Sequence, residues 1–294
     1  MKLVLPSPLE KINFPTKNGI SLYIKRDDLI HQYVSGNKWR KLKFNIFSLL
    51  EQNKQILLTV GGAFSNHIMA CAAASHFYNI KSIGIIRGEE LNENSNANLK
   101  YAAAQGMKLI FIDRNTYSTR YDDDFLINIC NKYNLKFDDI YIVPEGGAND
   151  LAMKGCEEII EEIDLDFDYI CTACGTGTTL FGLTNKLQSH QSAIGIDVLK
   201  YNFSLDDKIS SLNLKNIEIL HEYHFGGYSK KNETLVNFIQ EFYMQTNIKL
   251  DYVYTGKMMF AIFDLMNKDY FKPNSKIIAL HTGGILNANC IDEI

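Results

Sequence analysis

Three times in this chain an apolar run of strand length ends in glycines and gives way at once to a helix-forming stretch. Residues 56–60 lead into Gly61-Gly62-Ala63-Phe64-Ser65-Asn66-His67 and an alanine-rich segment reaching residue 77. Residues 140–143 lead into Pro144-Glu145-Gly146-Gly147 and a helical stretch over 151–163, and residues 169–174 into Gly175-Thr176-Gly177-Thr178-Thr179 and a helical stretch over 180–187. Such a unit implies a parallel sheet, because a helix must carry the chain back before the next parallel strand can pair. The same patterning predicts strands over 20–25, 81–87, 108–113, 193–198, 217–220 and 276–280. Helices are predicted over 42–52, 94–105, 121–133 and 232–245, with another after Lys257. Pro6, Pro8 and Pro15 mark an extended opening segment. With 294 residues, 46% of them hydrophobic and 22% charged, the chain can build one large or two medium domains; no repeat or linker separates its halves, which read as closely interleaved.

Composition removes several function classes. A net charge of −4 and the lack of any Lys/Arg block exclude a nucleic-acid grip. The apolar start at residues 1–5 is cut off by Pro6 and Pro8, and no apolar run reaches membrane-spanning length, so a cytoplasmic protein without a membrane partner is expected. Six cysteines (71, 130, 156, 171, 174 and 290) lack disulfide-scaffold spacing, which suits a reducing compartment. Cys171-x-x-Cys174 has no second ligand pair to complete a zinc site and does not open a helix as a redox pair would; no metal is expected.

The chemistry concentrates around Ser35-Gly36-Asn37-Lys38-Trp39-Arg40-Lys41-Leu42. A free lysine, with a pKa of about 10.4, is a poor nucleophile at neutral pH, but condensed with an aldehyde cofactor it becomes useful. Gly36 permits a close turn, Asn37 offers amide hydrogen bonds, and Arg40 and Lys41 favour a bound phosphate. Gly-Asn-Lys alone would better suit a basic helix start on a solvated face; the rest of the chain turns the reading. Arg26-Asp27-Asp28-Leu29, after the first strand, reads either as a solvated loop or as backbone positioned beside a cofactor. The amides of Ser65-Asn66-His67 fall at a helix N-terminus, which suits a substrate carboxylate, while Ser65 alone could be a simple N-cap. Gly175, Thr176, Gly177, Thr178 and Thr179 make a phosphate cradle, neither a Walker loop nor a full dinucleotide fingerprint.

Taken in order, Ser-Gly-Asn-Lys-Trp-Arg-Lys-Leu, Gly-Gly-Ala-Phe-Ser-Asn-His, Gly-Thr-Gly-Thr-Thr, Val-Tyr-Thr-Gly-Lys and His-Thr-Gly-Gly resemble the 1-aminocyclopropane-1-carboxylate deaminase and D-cysteine desulfhydrase family of pyridoxal 5'-phosphate enzymes. The resemblance runs from Arg26 onward and implies an α/β, fold-type-II architecture like that of the tryptophan synthase β chain. Residues 1–42 and 153–294 would form a large cofactor-binding domain and 43–152 a small mobile one, both three-layered, with cofactor and substrate in the cleft between them. By the same resemblance Lys38 would hold the cofactor aldehyde and move the substrate α-proton, Asn66 would bond the cofactor's phenolic oxygen, and Ser65 with the amides of Asn66 and His67 would receive the substrate carboxylate. Lys41 and the 175–179 loop would hold the phosphate. Tyr228 and Tyr254 match two active-site tyrosines able to pass a proton, and Thr282 would reach the pyridine nitrogen, a neutral partner that favours elimination over transamination.

Departures bear on the substrate. Thr255 and Thr282 stand where the deaminase pattern has glutamate and leucine, and His67 stands for glutamine, as in desulfhydrase-type members; Phe64 replaces a glutamine and Tyr252 a proline. The reading is therefore a homodimeric lyase or deaminase that turns a small amino acid into a 2-oxo acid, D-cysteine desulfhydrase-like, with 1-aminocyclopropane-1-carboxylate deamination as the alternative. The rival from another class is a non-catalytic protein that binds a phosphorylated ligand, which would have no need of Lys38. A nicotinamide dehydrogenase ranks last.

Overall fold

The computed structural model describes residues 2–200 and 204–284, and Cys290 lies outside them. The elements follow in the order β1 (Leu9–Lys11), β2 (Ser21–Lys25), α1 (Asn37–Glu51), β3 (Ile56–Gly62), α2 (Asn66–Phe77), β4 (Lys81–Arg87), α3 (Ala97–Ala104) and β5 (Lys108–Ile112). Then come α4 (Arg114–Ser118), α5 (Asp123–Lys132), β6 (Ile140–Val143), α6 (Asp150–Glu161), β7 (Tyr169–Cys174), α7 (Thr178–Thr184) and β8 (Ser192–Asp197). The described chain closes with α8 (Ser204–Leu212), β9 (Ile217–Leu220), α9 (Glu233–Thr246), α10 (Thr255–Asn267) and β10 (Lys276–Leu280). It divides into two compact units, Lys41–Leu151 and Lys2–Arg40 with the described residues from Ala152 onward, the first boundary falling inside α1.

In the larger unit six strands lie in the order β1-β2-β10-β7-β8-β9, all parallel except β1, which runs antiparallel to β2. Side chains alternate across this sheet as strand geometry demands. Leu22, Cys171, Ile194 and Ile277 face a core shared with Ile239 and Phe242 of α9 and Met259 and Ile262 of α10. Ile170, Cys174, Ala193 and Ile278 face the other core, with Ile159 of α6, Leu180 and Phe181 of α7, and Leu205 of α8. Cys171 and Cys174 therefore point to opposite faces of one strand and cannot share a metal or pair. Burial pushes the Cys171 thiol well up, and no described cysteine is in a disulfide. Among the described residues no cluster of three metal-ligating side chains occurs, and no helix is long and apolar enough to cross a membrane.

The smaller unit carries the parallel sheet β5-β4-β3-β6. Leu58, Val60, Ile83, Ile85 and Ile110 pack against Phe125 and Ile129 of α5 on one face. The other face is covered by α2, where Thr59 meets His67 and the backbone at Gly61 approaches Ile68 so closely that a Cβ there would stand 2.8 Å from Cγ1. The missing side chain of Gly61 makes that approach possible.

Local chemistry explains where the elements depart from expectation. The opening segment contains a short strand, β1. Helix α3 starts at Ala97 rather than near 94, because Asn96 caps it through Leu99 N and Asn92 to Ser95 close a turn of their own. The short α4 was not expected from periodicity; Asp113 caps it by accepting from Thr116 N and Oγ1 at 2.8 and 2.6 Å. Helix α7 begins at Thr178, so Thr178 and Thr179 form its first turn.

Candidate active site

Within the larger unit the site is built on a frame of buried charge. Asp27–Leu29 form a single 3-10 turn in which Asp27 and Asp28 are buried, so the solvated-loop reading of that stretch does not hold. Asp27 receives Arg40 Nε at 3.2 Å and Nη2 at 3.1 Å, and the Ser7 hydroxyl at 2.6 Å. Arg40 also donates to Glu162, which Lys25 bonds at 2.8 Å. Burial alone would raise the Glu162 carboxyl, but the hydrogen bonds from Arg40 and Lys25 outweigh it and hold the group down at about 2. Arg40 was expected to help hold a phosphate. It is fully buried and committed to two carboxylates instead, so its role is to fix the start of α1, two residues from Lys38.

That start is pressed against the end of β10. Asp27 O accepts from Gly36 N at 3.0 Å and Asp28 N donates to His281 O at 3.1 Å. Gly36, at φ +63°, is required: a Cβ there would lie 1.8 Å from the Thr282 carbonyl oxygen. This places the Ser35-Gly36-Asn37-Lys38 turn beside the His281-Thr282-Gly283-Gly284 strand end, uniting two of the sequence motifs.

Lys38, half-buried in the first turn of α1, donates from Nζ to Asn37 Oδ1 at 2.7 Å, and Asn37 Nδ2 donates to Thr179 Oγ1 at 2.8 Å. The lysine and the glycine-threonine loop are thus joined by one amide. In that loop Gly177 takes φ +78° before α7, and the hydroxyls of Thr176 and Thr178 are 3.0 Å apart. Gly175 faces Tyr254: a Cβ added there would be in ordinary contact with that ring, 3.6 and 3.7 Å from Cε1 and Oη. Tyr254 and Tyr228 meet edge to face, their rings 6.2 Å apart at 72°. Tyr254 is held by a residue that sequence reasoning missed. Asp251, buried, accepts from the amides of Val253, Tyr254 and Thr255 and from the Thr255 hydroxyl at 2.6 Å. The signal was an aspartate just ahead of a helix-opening Tyr-Thr-Gly, a common turn-forming arrangement. Thr255, fully buried, has its hydroxyl given over to this turn. Tyr252 packs under Lys231, whose Nζ lies 4.4 Å from the ring centre.

The smaller unit holds the other predicted group. Ser65 caps α2, its Oγ accepting from Ile68 N at 3.4 Å, and Asn66 opens the helix half-buried. His67 is buried, with Nε2 2.9 Å from Thr59 Oγ1 and 3.5 Å from Cys71 Sγ, so its ring is turned into the sheet and what it offers at the helix start is backbone. Phe64 is 64% exposed. Lys41 donates to Gly146 O at 3.2 Å, and Gly147, at φ +71°, fits between Lys41 and His67.

The glycine-threonine loop, opened by Gly177 at positive φ, and a lysine amine linked to it through Asn37 fit a phosphorylated aldehyde. The comparisons agree. The family of pyridoxal-phosphate dependent enzymes matches residues 1–283. The Arabidopsis thaliana protein named bifunctional D-cysteine desulfhydrase/1-aminocyclopropane-1-carboxylate deaminase, mitochondrial, is 30% identical over 308 residues, covering 96% of this chain and 77% of its own. A putative 1-aminocyclopropane-1-carboxylate deaminase of Pyrococcus horikoshii is 29% identical over 296 residues, covering 93% and 87%. A solved 1-aminocyclopropane-1-carboxylate deaminase homologue superposes with a TM-score of 0.81 at 25% identity, covering 98% of this chain and 92% of its own. The chain belongs to the pyridoxal-phosphate-dependent enzymes with the tryptophan synthase β fold, in the group of the deaminases and D-cysteine desulfhydrases.

Proposed function

We propose that this enzyme removes ammonia and a leaving group from a small amino acid to give a 2-oxo acid, with β-elimination from D-cysteine ahead of cyclopropane opening. The observation that carries the reading is the Lys38–Asn37–Thr179 chain of hydrogen bonds, which sets one amine beside a phosphate-type loop and within a unit that also presents two tyrosines. Pyridoxal phosphate, when bound, supplies the electron sink. Gly175, Thr176, Gly177, Thr178 and Thr179 would hold its phosphate, and Thr282 would meet its ring nitrogen. Lys41 would add a cation, in exchange for the Gly146 carbonyl it now holds.

The rest falls to side chains of this chain. Lys38 Nζ takes the proton from the substrate α-carbon. The Ser65 hydroxyl and the amides of Asn66 and His67 at the start of α2 bind the substrate carboxylate, and Asn66 orients the ring oxygen of the cofactor. Tyr228 or Tyr254 gives a proton to the departing sulfur. The carbon–hydrogen and carbon–sulfur bonds break, and hydrolysis of the released unsaturated amine gives pyruvate and ammonia beside sulfide.

Of the two threonines that favour this substrate, Thr255 spends its hydroxyl on Asp251, so the preference rests on Thr282 as a neutral partner. Turnover of D-cysteine or β-chloro-D-alanine to pyruvate should exceed conversion of 1-aminocyclopropane-1-carboxylate to 2-oxobutyrate in kcat/KM. A preference for the cyclopropane would reverse the assignment, and inactivity on all three would direct attention to Phe64 and Tyr252.

A further inference from the structure

The turn that delivers Tyr228 is conformationally costly. Phe225, Gly226, Gly227 and Ser229 have φ of +52°, +98°, +115° and +56°. Two of these are not glycine, and left-handed residues of that kind persist only where the surroundings hold them. One group does so from beneath. Lys257, fully buried in the first turn of α10, donates from Nζ to His224 O and Gly227 O, each at 2.8 Å. Those carbonyls are the two ends of the turn, already joined by the bond from Gly227 N to His224 O. Three residues along the same helix, Phe260 takes the Phe225 ring edge-on at 5.1 Å. Helix α10 therefore follows directly on Tyr254 and grips the loop of Tyr228, and the two rings meet edge to face.

We infer that Lys257 is a positioning residue for Tyr228, an internal cation that fixes the loop so that the two tyrosines keep one mutual geometry. The inference rests on the reading of that pair as active-site residues. A buried ammonium with no ion-pair partner among the described residues is costly to maintain: burial pulls its pKa down to about 8, against the opposing pull of Asp251 and Asp197. Helix packing alone would be served by methionine, so the charge must be retained for the carbonyls it holds.

The test combines Lys257→Met, Tyr228→Phe and the double variant, with Lys257→Gln as a second route should the first be insoluble. Amide exchange of the 224–230 peptide, in the protein as purified, should quicken by about tenfold in Lys257→Met while the β7 peptide is unchanged. With D-cysteine, Lys257→Met should lower kcat by about tenfold and leave KM within about twofold; in the Tyr228→Phe background it should cost less than about twofold. Unchanged exchange, or losses that simply multiply, would overturn the role of Lys257. If Tyr228→Phe keeps full turnover while Lys38→Ala has none, the reading of the tyrosines fails instead, and the exchange result still decides whether Lys257 clamps the loop.

Discussion

The two regions assigned to the site are held in different ways. In the larger unit Lys38 stands on side chains that are spent on one another: Arg40 on Asp27 and Glu162, Lys25 on Glu162, Asn37 on Thr179. In the smaller unit the Ser65-Asn66-His67 start of α2 stands on close packing, with His67 turned inward and a glycine backbone against Ile68. The first arrangement fixes the Lys38 amine through many side chains and tolerates little. The second presents backbone amides, which survive most side-chain changes.

Substitutions should expose that contrast. Lys38→Ala should lower turnover by at least about a thousandfold, within the range general acid–base groups supply, while the melting temperature stays close to that of the parent. Substantial residual turnover would break the assignment of the amine. Arg40→Met leaves Asp27 buried without its partner and should cost about 3–5 kcal/mol in denaturant unfolding. The same variant sharpens the acid side. The Glu162 carboxyl is depressed to about 2 when folded, so its contribution is complete above its unfolded value of about 4.3 and is lost as pH falls toward about 2. Stability of Arg40→Met should therefore fall less steeply between those values than that of the parent; an equal slope would remove Glu162 from the network.

Gly175→Ala sets a methyl group in contact with Tyr254 on the loop assigned to the phosphate, without backbone strain, and should weaken cofactor binding by about tenfold in a spectroscopic titration, about 1.4 kcal/mol. Unchanged affinity would move the cofactor away from this loop. Gly177 is a poorer probe, since at φ +78° any side chain is strained and a Cβ there would strike Phe181 and Leu205, so a loss of affinity could come from the fold alone. Ser65→Ala should have the smallest effect, about 0.5–1 kcal/mol in stability, and should raise KM more than it lowers kcat. A collapse in kcat would show that the hydroxyl, and not the amides, does the chemistry there.

Much of this was legible beforehand. Strands 81–87, 140–143, 169–174, 217–220 and 276–280 fall where apolar runs bounded by turn residues place them, and glycines follow 140–143, 169–174 and 276–280 as read. Local pattern shows such elements because each is written in consecutive residues. What Arg40 and Thr255 bind was not legible, for the opposite reason. Their partners Asp27, Glu162 and Asp251 are chosen by the fold, and a basic or hydroxyl residue in a motif looks the same whether it meets a ligand or a buried carboxylate. Lys257 was visible only as the last letter of Val-Tyr-Thr-Gly-Lys, with nothing in the sequence to name the two carbonyls it holds.

The central claim is that Lys38 carries the cofactor, and covalent trapping tests it most directly. Protein loaded with pyridoxal phosphate should show a visible absorbance band that borohydride bleaches, and peptide mapping should then find the reduced cofactor on Lys38, with neither band nor label in Lys38→Ala. A label on another lysine, or a protein that stays colourless after loading, would contradict the account.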